Sequence, residues 1–198
     1  MTGEPAESAR ARILAMAATE LRQIGPQRLK ISGIARRAGM SHANVYRHFD
    51  GKAGVLDALL GQWLRGLEAR LQEIVDGPDP ADDKLERFLA TLSRAYAETR
   101  AQDRALFALL ADPFPGMLEP ARHRRRVETW TIRIADEGIA TRLFGGSDAR
   151  RAAALALDLA HRFCDPAALS CAESGIPAGD GRRERVVRWA VRALTGRN

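Results

Sequence analysis

A chain of 198 residues, 45% of them hydrophobic and 28% charged, has enough apolar side chains to bury one large helical core or two modest ones, which excludes a disordered tract. The formal charge is +6, and residues 28–52 alone hold six Lys or Arg against one Asp, a concentration that suits a polyanionic partner. Cys164 and Cys171 are too few for a disulfide framework and lack histidines at ligand spacing, the opening residues carry no leader pattern, and no apolar run spans a membrane; a soluble, cytoplasmic protein with no metal, no cofactor and no membrane contact is expected.

Residues 1–6 read as a frayed arm. From Ser8 onward Ile13, Leu14, Ala17, Leu21 and Ile24 recur at helical spacing until Gly25-Pro26 ends the run, giving a first helix placed to support the next two. Ile31, Ile34, Ala35 and Ala38 then mark a short amphipathic helix with Arg36 and Arg37 on its other side. Gly39 stops it as a left-handed C-cap, and Met40 folds back on the apolar face. Ser41 supplies an N-cap hydroxyl for another helix through about His48. Two helices so closely joined cross steeply, as in a helix-turn-helix whose second helix enters the major groove N-terminus first. Val45 and Phe49 would face the core. His42, Ala43, Asn44 and Arg47 would face solvent or bases, while Tyr46, His48 and Lys52 carry donors suited to phosphate oxygens. An ordinary helical hairpin with solvated Tyr and Lys is the plain alternative.

After Asp50-Gly51 a broad apolar stripe from Val55 to Ile74 predicts one long helix over 52–76, roughly 36 Å at about 1.5 Å per residue, a natural lever between two parts of the molecule. Gly77-Pro78-Asp79-Pro80 breaks it. Leu85, Phe88, Leu89, Leu92 and Tyr96 mark a fifth helix ending near Arg100, and a shorter one continues through Ala111. Pro113 and Pro115 with Gly116 interrupt the chain before a helix over about 118–141. From Ser147 a capped helix carries Ala152, Leu155, Ala156, Leu159, Ala160 and Phe163, an alternation of small and large residues that lets another helix approach closely. Residues 165–181 read as loop with one short turn of helix, and a last helix runs from Arg182 to Leu194. No strand alternation and no repeat is present.

The spacing I-A-x-x-A-G-M from Ile34, and then S-x-x-x-V-Y-x-H-F-x-x-K from Ser41 to Lys52, resembles the signature of the tetracycline-repressor (TetR) family of bacterial transcription regulators. It covers roughly residues 7–67. The resemblance implies an all-α protein of about nine helices, with an N-terminal three-helix DNA-binding domain over 7–67 and a C-terminal ligand-binding and dimerisation domain over 68–198. Carried onto this chain, the DNA contacts are Lys30, Ser32, Ser41, His42, Ala43, Asn44, Tyr46, Arg47, His48 and Lys52. One position departs. Lys30 stands where the family usually has a threonine, so the usual helix cap is missing and Ser32 is expected to take over part of its work. The resemblance further implies that the helices around 147–164 and 182–195 form a four-helix dimer interface, and that a small ligand in the C-terminal part shifts the spacing of the two readers through the long fourth helix.

No nucleophile elbow, glycine-rich phosphate loop or H-E-x-x-H is present, and Asp82-Asp83 suits helix capping better than acid-base chemistry, so no catalytic residue is expected. The run from Arg122 to Arg126 reads as a solvated helix face, or else as a contact for an acidic ligand. Phe88, Tyr96, Phe107, Phe114 and Trp130 are the candidates for lining an effector cavity, with plain core as the alternative. The expected function is a dimeric repressor on double-stranded DNA, released by a small, largely apolar effector. Its rivals are a DNA-binding dimer without a ligand, controlled by a protein partner or by abundance, and an enzyme of helical fold.

Overall fold

The computed structural model describes residues 6–171 and 180–195. Among these there is no strand; the chain is helical almost throughout. The first helix, α1 (Ala6–Arg28), bends at Gly25, whose φ of 74° is left-handed, and Pro26 opens one further turn. Next come α2 (Ile31–Ala38), α3 (His42–Tyr46) and α4 (Gly51–Asp76). Ile13, Leu14, Ala17 and Leu21 of α1, Ile34 of α2, Val45, Phe49, and Val55 and Leu56 of α4 meet in one buried cluster, as the helical spacing of each stripe demands.

α4 spans 26 residues, about 39 Å at about 1.5 Å per residue, and ties that cluster to the rest. The other helices are α5 (Ala81–Gln102), α6 (Arg104–Ala111), α7 (Glu119–Ala140), α8 (Ala149–Cys164), the short α9 (Pro166–Cys171) and α10 (Asp180–Thr195). α5 is the hub, packing on α4, α6, α7, α8 and α10, with Leu85, Phe88, Leu89 and Leu92 all buried. The nine expected helices are all present among the described residues, and the short α9 is the single turn anticipated after Asp165. The remainder of that segment, 172–179, lies outside the described residues.

Two local expectations are corrected. The cap of α8 is Asp148, not Ser147: its Oδ1 accepts from the backbone of Arg150 and Arg151 at 3.0 and 3.1 Å, since a charged oxygen is the stronger partner for exposed N–H groups. The small residues Ala152, Ala156 and Ala160 do admit helices closely, but these are the chain's own α5, α7 and α10; both Ala156 and Ala160 are fully buried. The large apolar side chains that α8 leaves exposed are Leu155 and Leu159, at 43% and 44%.

Candidate nucleic-acid interface and effector region

The turn between α2 and α3 forms as its residues require. Gly39 adopts φ 65° and ψ 33°, its N–H returns to Arg36 O, and Met40 N donates to Ala35 O at 2.9 Å, closing α2. Ser41 is extended, and its Oγ accepts from Asn44 N at 3.2 Å, opening α3. α3 ends at Tyr46, so His48 falls in the turn beyond it. Val45 and Phe49 are buried, as expected, and Arg10 of α1 lies over the Phe49 ring, 4.9 Å from its centroid.

On the outer side of α3, Ser41, His42, Ala43, Tyr46 and Arg47 are exposed, while Asn44 and His48 are half-buried. Tyr46, 54% exposed, stands edge-on to the His42 ring at 5.7 Å between centroids. Lys30 and Ser32 are exposed at the start of α2, and neither caps it: Lys30 is the N-cap residue without a side-chain hydrogen bond. Support comes from α1. The buried Glu20 sets its carboxylate against Gly33 in the first turn of α2, where the helix dipole favours negative charge and a Cβ would collide with it. Arg37 Nε lies 3.9 Å from that carboxylate.

Lys52 is placed differently from its neighbours. Its Nζ donates to Gln27 O at 2.9 Å at the end of α1 and sits over the Phe114 ring, 4.3 Å from the centroid. Burial lowers its pKa. Phe114 belongs to the turn between α6 and α7, so one lysine joins the reader to the C-terminal part. A second joint lies beside it: Asp57 of α4 accepts at Oδ1 from Leu118 N and Glu119 N, at 2.9 and 2.8 Å, and thereby caps α7.

A third joint is buried deeper. Glu68 of α4 receives His123 Nδ1 at 2.7 Å and Arg126 Nη1 at 2.7 and 2.9 Å, and His123 Nε2 lies 2.8 Å from Tyr96 Oη. Burial raises the Glu68 carboxyl, but hydrogen bonds and charge from His123 and Arg126 outweigh it and hold the pKa below the ordinary value. Burial, reinforced by Cys164, Asp165 and Glu68, pushes Tyr96 well up. Burial likewise raises the Cys164 thiol to about 12, so it stays protonated. Sequence reasoning passed over Asp57 and Glu68. Their signal was a spacing of eleven, three helical turns, which sets both carboxylates on the α4 face that carries Gly61, itself against Glu119.

The five candidate aromatics do not gather around one space. Phe88 meets Trp130 edge-on at 6.4 Å, Phe107 is buried in the core, and Phe114 lies under Lys52. Tyr96 borders a cavity of about 40 Å³ with His123. Of the basic run, Arg122 and Arg126 pair with Glu119 and Glu68, and Arg124 and Arg125 are exposed. No described group of His, Cys, Asp and Glu could hold a metal ion, and no described helix is long and apolar enough to cross a membrane.

Comparison with known proteins agrees with this geometry. Residues 13–59 match the family model for bacterial regulatory proteins of the tetR family. Residues 81–181, more than half of the chain, match the tetracyclin repressor-like C-terminal domain. No curated protein matches the sequence. Among solved structures, SmeT, the repressor of the Stenotrophomonas maltophilia multidrug efflux pump SmeDEF, has a TM-score of 0.68 at 19% identity, over 96% of this chain and 92% of that one. A transcriptional regulator of the TetR/AcrR family from Thermobifida fusca gives 0.65 at 23%, over 92% and 96%. FadR from Bacillus subtilis, solved in complex with stearoyl-CoA, gives 0.64 at 17%, over 93% and 97%.

Proposed function

Since the chain belongs to the tetR family of bacterial regulatory proteins, which are DNA-binding transcription factors and not enzymes, we propose that it is a dimeric repressor released from a palindromic operator by a small ligand. The observation that carries the DNA-reading part is the Ser41-capped α3, which buries Val45 and turns His42, Ala43, Tyr46 and Arg47 outward. Phosphate contacts from Lys30, Ser32, Ser41, Tyr46, His48 and Lys52 position it, and Asn44, His42, Ala43 and Arg47 meet base edges.

One such short helix reads few bases, so two copies must read half-sites about 34–36 Å apart, or farther by whole turns. The face for pairing is the apolar groove where Leu159 of α8 meets Val186 and Trp189 of α10, with Trp189 70% exposed. A ligand that binds the DNA-incompetent arrangement more tightly shifts α4, and DNA weakens ligand binding by the same factor. The joints at Lys52, Asp57 and Glu68 support α4 as the carrier of that shift. The close packing of Phe88 and Phe107 favours the rival without a ligand. Binding of the purified protein to DNA flanking its own gene, with and without small hydrophobic molecules, tests the reading: a palindromic footprint weakened by one of them supports it, and tight binding insensitive to all of them leaves the ligand-free dimer.

A further inference from the structure

Lys52 is held from two sides, and its two partners come from different parts of the molecule. Its Nζ donates at 2.9 Å to Gln27 O, in the last turn of α1 where the helix no longer supplies a partner, and lies 4.3 Å from the centre of the Phe114 ring. Neither partner is charged. The ammonium therefore keeps its positive charge and, with one N–H engaged, has donors to spare. Gln27 stands three residues before Lys30, so the lysine is fixed close to the start of α2, where Lys30 and Ser32 are exposed.

The ring is itself fixed. Phe114 O accepts from Met117 N at 3.1 Å, which closes the turn between α6 and α7. Gly116, at a left-handed φ of 91°, comes so close to α4 that a Cβ there would stand 3.2 Å from the Ala53 Cβ. Asp57 then holds the N–H groups of Leu118 and Glu119. At the other end of α6, Asp103 accepts from Leu106 N at 3.0 Å and from Arg22 of α1 at 2.7 Å. Both ends of α6 are thus tied to the reader, and the half-buried Phe114 is a platform that the C-terminal part presents to one of the reader's own residues.

We propose that Phe114 is a positioning residue for DNA binding: its ring holds the Lys52 ammonium at the end of α1, in the place from which it meets a phosphate, so that the C-terminal part sets DNA affinity through this contact. This rests on the reading of Lys52 as a phosphate contact. A free lysine gives up the freedom of four side-chain torsions to bind one oxygen, whereas a lysine already fixed by a carbonyl and a ring has lost that freedom on folding. Withdrawal of the α6–α7 turn from α4 releases the side chain and weakens DNA binding without removing any charge.

The test measures fluorescence anisotropy of a labelled mixed-sequence DNA duplex across a salt series with the full chain, since a phosphate contact does not depend on base sequence. Phe114→Leu keeps an apolar side chain and loses the ring. It is expected to weaken binding about three- to tenfold with the salt slope unchanged, because Lys52 keeps its charge, while Phe114→Tyr retains the parent's affinity. In a Lys52→Ala background the Phe114→Leu loss is expected to vanish, which a purely structural role in the turn would not produce. The proposal is overturned, with the phosphate contact left standing, if Lys52→Ala lowers the slope but Phe114→Leu binds as well as the parent or better. An equal loss in Phe114→Tyr, or a Phe114→Leu loss that persists in the Lys52→Ala background, overturns it too. An unchanged slope in Lys52→Ala overturns both the proposal and the phosphate contact. If Phe114→Leu does not fold, pentafluorophenylalanine in place of Phe114 decides, because it keeps the shape of the ring and reverses its quadrupole. Weaker binding that depends on Lys52 then supports the proposal, and unchanged binding overturns it.

Discussion

Tyr46 and Lys52 both read as phosphate contacts in the sequence, yet their surroundings differ. Tyr46 is exposed on α3 with its ring edge-on to His42, so Tyr46→Phe should weaken binding to specific and random DNA alike, as filter binding on both would record. Lys52 gives one of its three N–H donors to Gln27 O, and the others remain for a phosphate. Lys52→Ala should therefore lower the slope of log affinity against log salt by about one; an unchanged slope would leave it as a joint to Phe114 alone. Asn44 is the base-reading candidate, and Asn44→Ala should cost ~1–3 kcal/mol at one base position, visible as relaxed preference in a randomised-site selection. Glu68 allows a pH prediction. Its folded pKa is depressed, so its contribution to stability is present above the unfolded carboxylate value and is lost as pH falls through the folded one. Melting temperatures between pH 6 and pH 2 should thus fall less steeply for Glu68→Gln than for the parent.

At the scale of elements, α4 and α7 are held together at both ends of one face. Asp57 satisfies two N–H groups that α7 would otherwise leave unpaired, and Asp57→Ala should cost about 1 kcal/mol of stability in denaturant titration. The helices themselves were legible wherever an apolar stripe ran at 3.6-residue spacing, as in α1, α4 and α5. Ends were legible where a residue's own chemistry decides them, as Gly39 and Ser41 show. The cap of α8 was misplaced by one residue because Ser147 and Asp148 are both good caps locally. The start of α2 was beyond local reading, since the charge beside its first turn comes from Glu20, thirteen residues before Gly33 on another helix.

At the scale of the molecule, α8 packs inward through its alanines, and its exposed Leu159 belongs to the proposed pairing face. Ala156 and Ala160 face inward, so Ala160→Glu should unfold the protomer by burying an unpaired charge, whereas Leu159→Glu, paired with Trp189→Glu, should leave it folded and monomeric. Sedimentation and circular dichroism together separate the outcomes; a folded dimer in the double variant would place the interface elsewhere.

The order of the helices, the helix-turn-helix and the family were determined by the sequence, because spacing, caps and turn residues act over a few neighbours. Which candidate aromatics share a space was decided only by tertiary structure: Phe88, Tyr96, Phe107 and Trp130 are equally plausible on helical wheels, Phe114 lies in a turn, and the crossing of α5, α6 and α7 sends them to different places. The same holds for the Tyr96, His123 and Glu68 chain. Its members come from three helices, and hydrogen bonds of 2.8 and 2.7 Å between residues 27 and 55 positions apart, respectively, exist only once those helices are packed.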